Sequence, residues 1–86
     1  MAKTSPLSSA FGKAIKQIRI TKGWTQEDLS DKSGMDRSYI SRIERGLKNP
    51  SLSVVWELAN HLEVSLFDLL TTTLQHLPAD FQKDQQ

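Results

Sequence analysis

The sequence predicts a small all-α domain of five short helices packed around one core. Apolar residues recur three or four positions apart along most of the 86-residue chain, which is the periodicity of amphipathic helices. Residues that commonly cap helices stand ahead of these apolar stretches, and no segment has the pattern of a strand. A chain of this length can bury one modest hydrophobic core and is too short for a second domain.

The first predicted helix spans residues 9–22. Phe11, Ile15 and Ile18 recur on one face of this segment, whereas lysine and glutamine side chains occupy the opposite face. Gly23 follows, and glycine readily adopts the left-handed conformation that commonly ends a helix. We therefore expect one amphipathic helix whose apolar face packs on the core.

A short second helix is predicted to begin after Thr25 and to end at Gly34. Thr25 is a favourable N-cap residue, and Asp28, three positions later, supplies the acidic partner of a capping box. Leu29 is the residue that this helix is expected to direct toward the core.

The third predicted helix begins at Asp36, only two residues after Gly34, and ends at Gly46. Asp36 is the predicted N-cap, and Ile40 and Ile43 form the apolar side of the helix. Two helices separated by a tight turn that contains glycine form a helix-turn-helix unit.

Two further helices are predicted in the second half of the chain, capped by Ser51 and Ser65. The side chains expected to face the core are Leu52, Val55, Leu58, Ala59 and Leu62 in the fourth helix and Leu66, Leu69 and Leu70 in the fifth. We expect residues 1–8 to form a flexible N-terminal arm, residues 9–74 to form the folded domain, and residues 75–86 to form a polar, frayed tail.

The charges are divided unevenly along the chain, although the formal net charge is only +1. Residues 1–50 contain ten Lys or Arg and five Asp or Glu, a balance of +5, whereas residues 51–86 contain one and five, a balance of −4. A basic half beside an acidic half indicates an anionic partner that binds at one end of the molecule. A chance division of solvated charges is the alternative.

The composition argues against several functional classes. Cys is absent, so disulfides and thiolate metal sites are excluded, and two histidines alone do not make a metal-ligand set. No apolar run approaches the roughly 20 residues that span a bilayer, and the first ten residues lack the apolar centre of a signal peptide. No Ser, Asp and His side chains are expected to converge on a pocket. We therefore expect no enzymatic activity, no cofactor, no membrane partner, no effector-sensing domain, and a cytoplasmic location.

The segment 36–46, DRSYISRIERG, carries most of the predicted chemistry. On a helix its two isoleucines face the core, whereas Arg37, Ser38 and Arg42 point outward. This short cationic face fits the major groove of B-DNA, because arginine offers two parallel donors to guanine and serine can bond several base edges. Gln26, in the first turn of the preceding helix, is placed to hydrogen-bond a phosphate or a base.

The order of these residues resembles the XRE family of helix-turn-helix regulators, which includes the lambdoid phage repressors and Cro. The resemblance covers roughly residues 9–74 and implies a five-helix, lambda-repressor-like DNA-binding domain. The motifs that carry it are Gln26, Leu29 and Gly34, then I-S-x-I-E-x-G from Ile40, N-P-S-L from Asn49 and V-S-L from Val64. Residues 36–46 are also similar to the controller proteins of restriction-modification systems. The implied function is sequence-specific regulation of transcription on double-stranded DNA.

The resemblance also implies roles for individual residues. Arg37, Ser38 and Arg42 occupy positions that read bases in the family. Positions that mostly touch phosphates or flanking bases are occupied by Gln26, Tyr39, Arg45 and Lys48. Arg19 and Glu44 match a pair that ties the first helix to the third. For Tyr39, a ring that merely covers the helix is the alternative.

Aromatic side chains in the last two helices exceed what a core of this size requires. Because the inward positions of these helices are already filled, Trp56 and Phe67 are predicted to lie at an interface. We expect a two-fold homodimer that uses the fifth helix, with Trp56, Phe67, Leu70 and Leu74 as candidate interface residues. Two reading helices about one turn of DNA apart would then recognise a pseudo-palindrome. Alternatively, one of the aromatic rings closes the core.

A second functional class is also compatible with this fold. A helix-turn-helix domain can serve as a protein-interaction module of the antitoxin or adaptor type, with a protein as its partner. An acidic or apolar outward face on the third helix would favour that function, and this sequence has a cationic one.

Overall fold

The computed structural model describes residues 5–83, with side chains to residue 81, and this part of the chain contains six α-helices and no strand. They are α1 (Pro6–Thr21), α2 (Gln26–Ser33), α3 (Arg37–Glu44), α4 (Leu52–His61), α5 (Leu66–Gln75) and α6 (Ala79–Lys83). α1 packs against α3 and α5, α2 packs against α3 and α4, and α4 packs against α5. The predicted all-α class and the helix-turn-helix unit, formed by α2 and α3, are confirmed.

The first helix begins at Pro6, three residues before the predicted start at Ser9. Ser5 is its N-cap, because the Ser5 hydroxyl accepts the backbone N–H of Ser8 at 3.0 Å. Proline is favourable at the first helical position, where its missing N–H would have no acceptor in any case. Half of the predicted flexible arm is thus the cap and first turn of α1, and residues 1–4 lie outside the described part of the chain.

The predicted frayed tail contains a sixth helix. After α5 ends, His76 Nε2 lies within 2.7 Å of the side-chain oxygen of Gln17 on α1. Leu77 is buried, and α6 follows over residues 79–83. The structure thus adds a short sixth helix to the five that were predicted. Leu77 is a single apolar residue and makes no periodic pattern, so the sequence did not indicate this helix. Residues 84–86 lie outside the described part of the chain.

The hydrophobic core lies between α1, α3, α4 and α5 and is closed by α2. It consists of Phe11, Ala14, Ile15, Leu29, Ile40, Ile43, Leu58, Ala59, Leu62 and Leu69. Three residues predicted to face the core do not belong to it: Leu52 is 75% exposed, Leu70 is 42% exposed, and Leu66 is half-buried outside the core. Leu52 lies on the same side of α4 as Ala59 but about 10 Å farther along the axis, beyond the end of the core.

The backbones of α1 and α3 cross at Gly12. A Cβ atom placed on Gly12 would lie 2.2 Å from the carbonyl oxygen of Ile43 and 2.7 Å from that of Glu44. Both distances are far below van der Waals contact, and both neighbours are backbone atoms that cannot rotate away. Glycine at this position therefore lets α3 rest directly on α1.

A buried ion pair between Arg19 and Glu44 joins the same two helices, as predicted. Arg19 Nε donates to Glu44 Oε2 at 2.7 Å, and Arg19 Nη2 donates to Glu44 Oε1 at 2.9 Å. The third donor, Nη1, reaches the carbonyl oxygen of Trp24 at 2.7 Å, in the turn before α2. The hydrogen bonds to the Glu44 carboxylate raise the pKa of Arg19 above its usual value, so this guanidinium stays charged.

Hydrogen bonds made by two serine hydroxyl groups stabilise the turn between α2 and α3. The Ser30 hydroxyl donates to the carbonyl oxygen of Met35 at 2.6 Å, and the Met35 backbone N–H donates to the Ser33 hydroxyl at 3.0 Å. Gly34, between them, has a φ of 75°, a left-handed conformation that costs glycine little. These bonds fix the angle at which α3 leaves α2.

Replacing Gly12 with alanine should destabilise the protein by roughly 1 to 3 kcal/mol or more, because the methyl group would force α1 and α3 apart. The sign of this change in stability is informative, since a Gly→Ala substitution inside a helix otherwise stabilises the protein by about 1 kcal/mol. Urea unfolding followed by circular dichroism measures the change, with exposed Lys16→Ala on the same helix as the control. Equal or greater stability of G12A would show that the two backbones do not meet as described.

Replacing Glu44 with alanine should cost about 3 to 5 kcal/mol, because it leaves the Arg19 guanidinium buried without a counter-charge. Converting both partners to apolar residues, Arg19→Met with Glu44→Leu, should recover most of that loss. The same unfolding measurement tests both variants. A loss below about 1 kcal/mol in the single variant would mean that the pair is effectively solvated.

Candidate nucleic-acid interface

Helix α3 has one buried face and one exposed face. Ile40 and Ile43 are 0% and 1% exposed and pack in the core. Arg37, Ser38 and Arg42 are all exposed, so the inward and outward sets predicted from the sequence are both confirmed in their placement. The exposed face carries no acidic side chain from α3 itself, because the one acidic residue of the helix, Glu44, is buried against Arg19.

The exposed face carries more side chains than the base-reading set alone. At about 100° per residue, the side chains at positions 37, 38, 41, 42 and 45 fall within an arc of about 140°. Ser41, which is half-buried, lies inside this arc, between Arg37 and Arg45. Ser41 is not among the predicted contact residues, although its helical position alone places it on this face.

The Ser38 hydroxyl is engaged by Asp36. Asp36 occupies the N-cap position of α3 with extended backbone, but its carboxylate accepts the Ser38 hydroxyl rather than capping the first turn. Asp36 is therefore the N-cap residue of α3, as predicted, although its side chain makes no capping hydrogen bond. The hydrogen bond from the Ser38 hydroxyl holds the pKa of Asp36 below its ordinary value, so the carboxylate is anionic at neutral pH and accepts that hydrogen bond. The Ser38 oxygen can still accept a hydrogen bond from another molecule.

The Gln26 side chain is held by the buried ion pair. Gln26 Nε2 donates to Glu44 Oε1 at 3.0 Å, so Glu44 accepts hydrogen bonds from Arg19 and from Gln26 at once. Gln26 keeps its amide oxygen and its second N–H for other partners. The two residues are 18 positions apart in different helices, and no local sequence pattern indicates this contact.

The start of α2 is well capped and faces an open groove. The Thr25 hydroxyl accepts the N–H of Asp28 at 3.0 Å, and the Asp28 carboxylate accepts the N–H of Thr25 at 2.8 Å, which confirms the predicted capping box. The backbone N–H of Thr25 holds the pKa of Asp28 below its ordinary value. Arg37 and Gln26 line the groove together with Thr25. The structure thus brings the beginnings of α2 and α3 to one surface.

The turn that leads into α2 is restrained by cation–π contacts. Lys32 Nζ lies 4.5 Å and Lys22 Nζ 5.5 Å from the centre of the Trp24 ring. Trp24 is half-buried and packs against the core. These contacts add to the Arg19 bond on the Trp24 carbonyl and hold the N-terminus of α2 in place.

The remaining predicted contact residues differ in their surroundings. Arg45 and Lys48 are exposed, and Arg45 Nε lies 3.4 Å from the carbonyl oxygen of Ser41 one turn earlier. Tyr39 is half-buried, and its ring packs against the core.

The candidate interface residues of the last helices are exposed. Trp56, Phe67, Leu70 and Leu74 are 55%, 76%, 42% and 50% exposed. Leu52, also exposed, lines a shallow groove with Trp56 and Leu66. These side chains belong to α4 and α5, whereas the cationic face belongs to α3.

Over residues 5–83, no group of three or more His, Asp or Glu side chains is arranged to hold a metal ion. In the same part of the chain, none of the helices has the length and apolarity needed to cross a bilayer.

The chain matches a family and several known regulators. The helix-turn-helix family model matches residues 15–69, more than half of the chain. An uncharacterised HTH-type transcriptional regulator of Sinorhizobium fredii is 40% identical over 62 residues, which are 72% of this chain and 80% of that protein. Control protein C.BamHI of Bacillus amyloliquefaciens is 38% identical over 71 residues, which are 81% of this chain and 88% of that protein.

A solved structure extends this similarity to the whole fold. The restriction-modification controller protein C.Esp1396I, determined as a tetramer in complex with its natural 35-base-pair operator, is 40% identical. The match has a TM-score of 0.78 and covers 84% of this chain and 95% of that one. With this match and the cationic face of α3, the chain belongs to the XRE-type helix-turn-helix family of DNA-binding transcriptional regulators.

Proposed function

We propose that α3 enters the major groove of an operator and that Arg37, Ser38 and Arg42 contact its bases. The observation that carries this proposal is the division of α3 into a face locked in the core and an exposed cationic face. A reading helix must be rigid, because a base contact discriminates only when its donors and acceptors are held in register. The buried isoleucines and the Glu44 ion pair supply that rigidity.

The chemistry of each side chain suggests what it reads. Each arginine presents two parallel N–H donors, which match the O6 and N7 acceptors of guanine. Ser38, whose proton is held by Asp36, offers an acceptor that suits the amino group of cytosine or adenine. A half-site in which guanines flank such a base is therefore the expected pattern.

Four other residues are proposed to position the domain on the DNA backbone: Gln26, Tyr39, Arg45 and Lys48. Arg45 and Lys48 are exposed cations that suit phosphates. Gln26 lies at the start of α2, where first-turn N–H groups lack intrahelical acceptors and favour an anion. Tyr39 would contribute only its hydroxyl, because its ring packs on the core. These contacts fix register and carry little sequence information.

We propose further that the protein binds as a two-fold homodimer through α5, with Trp56, Phe67, Leu70 and Leu74 at the interface. Exposure of four large apolar side chains on one small domain supports this, since contiguous exposed apolar surface commonly marks an interface. One short helix reads only a few base pairs. The two α3 helices of a dimer, about 34 Å apart, would read a pseudo-palindromic operator.

Salt dependence separates this function from the protein-interaction alternative. Binding to DNA through several cations weakens steeply as salt rises, whereas binding to a protein through an apolar surface does not. The exposed cationic face of α3 favours DNA over a protein as the binding partner.

Replacing Arg42 with alanine should relax base preference at one operator position and cost roughly 1 to 3 kcal/mol in discrimination. Replacing Lys48 with alanine is the matched control. That substitution should weaken binding to all duplexes alike, and it should reduce the steepness of log affinity against log salt concentration by about one. Selection of bound duplexes from a random pool, followed by titrations at two salt concentrations, measures both effects. An unchanged site preference in R42A would remove its base-reading role.

Replacing Phe67 with aspartate should convert the dimer into monomers, because it places a charge at the centre of the proposed apolar interface. Sedimentation equilibrium measures the change. Since Phe67 is 76% exposed, the fold should remain intact, and circular dichroism provides that control. A variant that still sediments as the wild-type dimer would exclude α5 from the interface.

A further inference from the structure

A narrow apolar cleft opens at the edge of the α5 surface. Its volume is about 120 Å³, and its apolar walls include Leu7 and Phe11 from α1, Val55 from α4 and Leu70 from α5. Leu70 also belongs to the proposed dimer face, so the cleft is continuous with that face. We refer to it as the α1–α5 cleft.

The two hydroxyl groups that line the α1–α5 cleft, those of Ser8 and Thr73, are already paired. The Ser8 hydroxyl donates to the side-chain oxygen of Asn49 at 3.0 Å, and Thr73 Oγ1 donates to the carbonyl oxygen of Leu69 at 2.9 Å. An apolar group can therefore enter the cleft without leaving a buried polar group unsatisfied. This chemistry suits a hydrocarbon side chain rather than a polar ligand.

The most exposed large apolar side chain of the described residues is Phe67, one turn before Leu70 on α5. At about 100° per residue, positions 66, 67, 70 and 74 form a stripe about 100° wide. No charged residue lies in this stripe, because Asp68 projects from the opposite side of α5. The face of one molecule thus carries both a protruding ring and a cleft. Such self-complementarity is what a two-fold interface requires, since the same patch contacts itself.

We propose that Phe67 of each copy inserts into the α1–α5 cleft of the second copy. The inference rests on the dimer proposed above and adds its contact geometry. The cleft, at about 120 Å³ and open on one side, is of the size that a partly inserted phenyl ring needs, since an enclosed engineered cavity of about 150 Å³ takes up a whole benzene molecule. The insertion makes Leu7, near the start of α1 and outside the helices assigned to dimerisation, an interface residue.

Isotope-filtered NMR on a mixed dimer tests the insertion without altering the protein. One copy carries ¹³C and the other is unlabelled, so only contacts between copies appear. We expect cross-peaks from the Phe67 ring protons to the methyl groups of Leu7 and Val55. Cross-peaks from Phe67 to Leu52 and Leu66 instead would overturn the insertion while leaving the dimer in place. A chain that sediments as a monomer would overturn both the dimer and the insertion, and the operator-selection experiment would still test base reading.

A matched pair of variants gives an independent measurement. Leu7 and Ile20 both lie on α1 and are 47% and 55% exposed, but only Leu7 borders the cleft. Leu7→Gln should raise the dimer dissociation constant at least about tenfold, since two-fold symmetry applies the loss of apolar contact twice. Ile20→Gln should leave it unchanged. Equal dissociation constants for the two variants, with folds intact by circular dichroism, would exclude the cleft from the interface.

Discussion

The orientation of α3 depends on the guanidinium of Arg19. Its three donors are divided between the two carboxylate oxygens of Glu44 and the carbonyl oxygen of Trp24. One side chain from α1 thereby holds the end of α3 and the turn that starts α2. Two buried charges are tolerable only when they are paired and hydrogen-bonded, and Gly12 permits the close approach of backbones that keeps this geometry.

The surface that is proposed to face DNA carries two kinds of side chain. Gln26 and Ser38 are short polar groups already oriented by buried or neighbouring carboxylates. Holding them in place before binding lowers the entropy cost of the complex. Arg37 and Arg42 are long, exposed cations, which in the proposed function attract the phosphate backbone at a distance and then bind base edges. The surface therefore combines short polar groups that are oriented before binding with long, exposed arginine donors.

Helix α1 connects the two surfaces of the molecule, because it packs against both α3 and α5. The proposed dimer contact involves α5 and the start of α1, whereas the proposed DNA contact involves α3 and the start of α2. In such a dimer, the packing of α1 would link the geometry of the dimer to the separation of the two α3 helices. That separation must match about one turn of DNA for both half-sites to be occupied.

Features that are local along the chain could be predicted from the sequence. Caps such as Thr25 and Ser65 act within three residues, and the isoleucines of α3 recur with the helical period, so these helices and the faces of α3 were predictable. The three-dimensional packing was needed to show which apolar residues lie beyond the core, as Leu52 does, and which polar residues contact each other, as Gln26 and Glu44 do. Such contacts join residues distant in sequence through packing angles, and no periodic pattern encodes those angles.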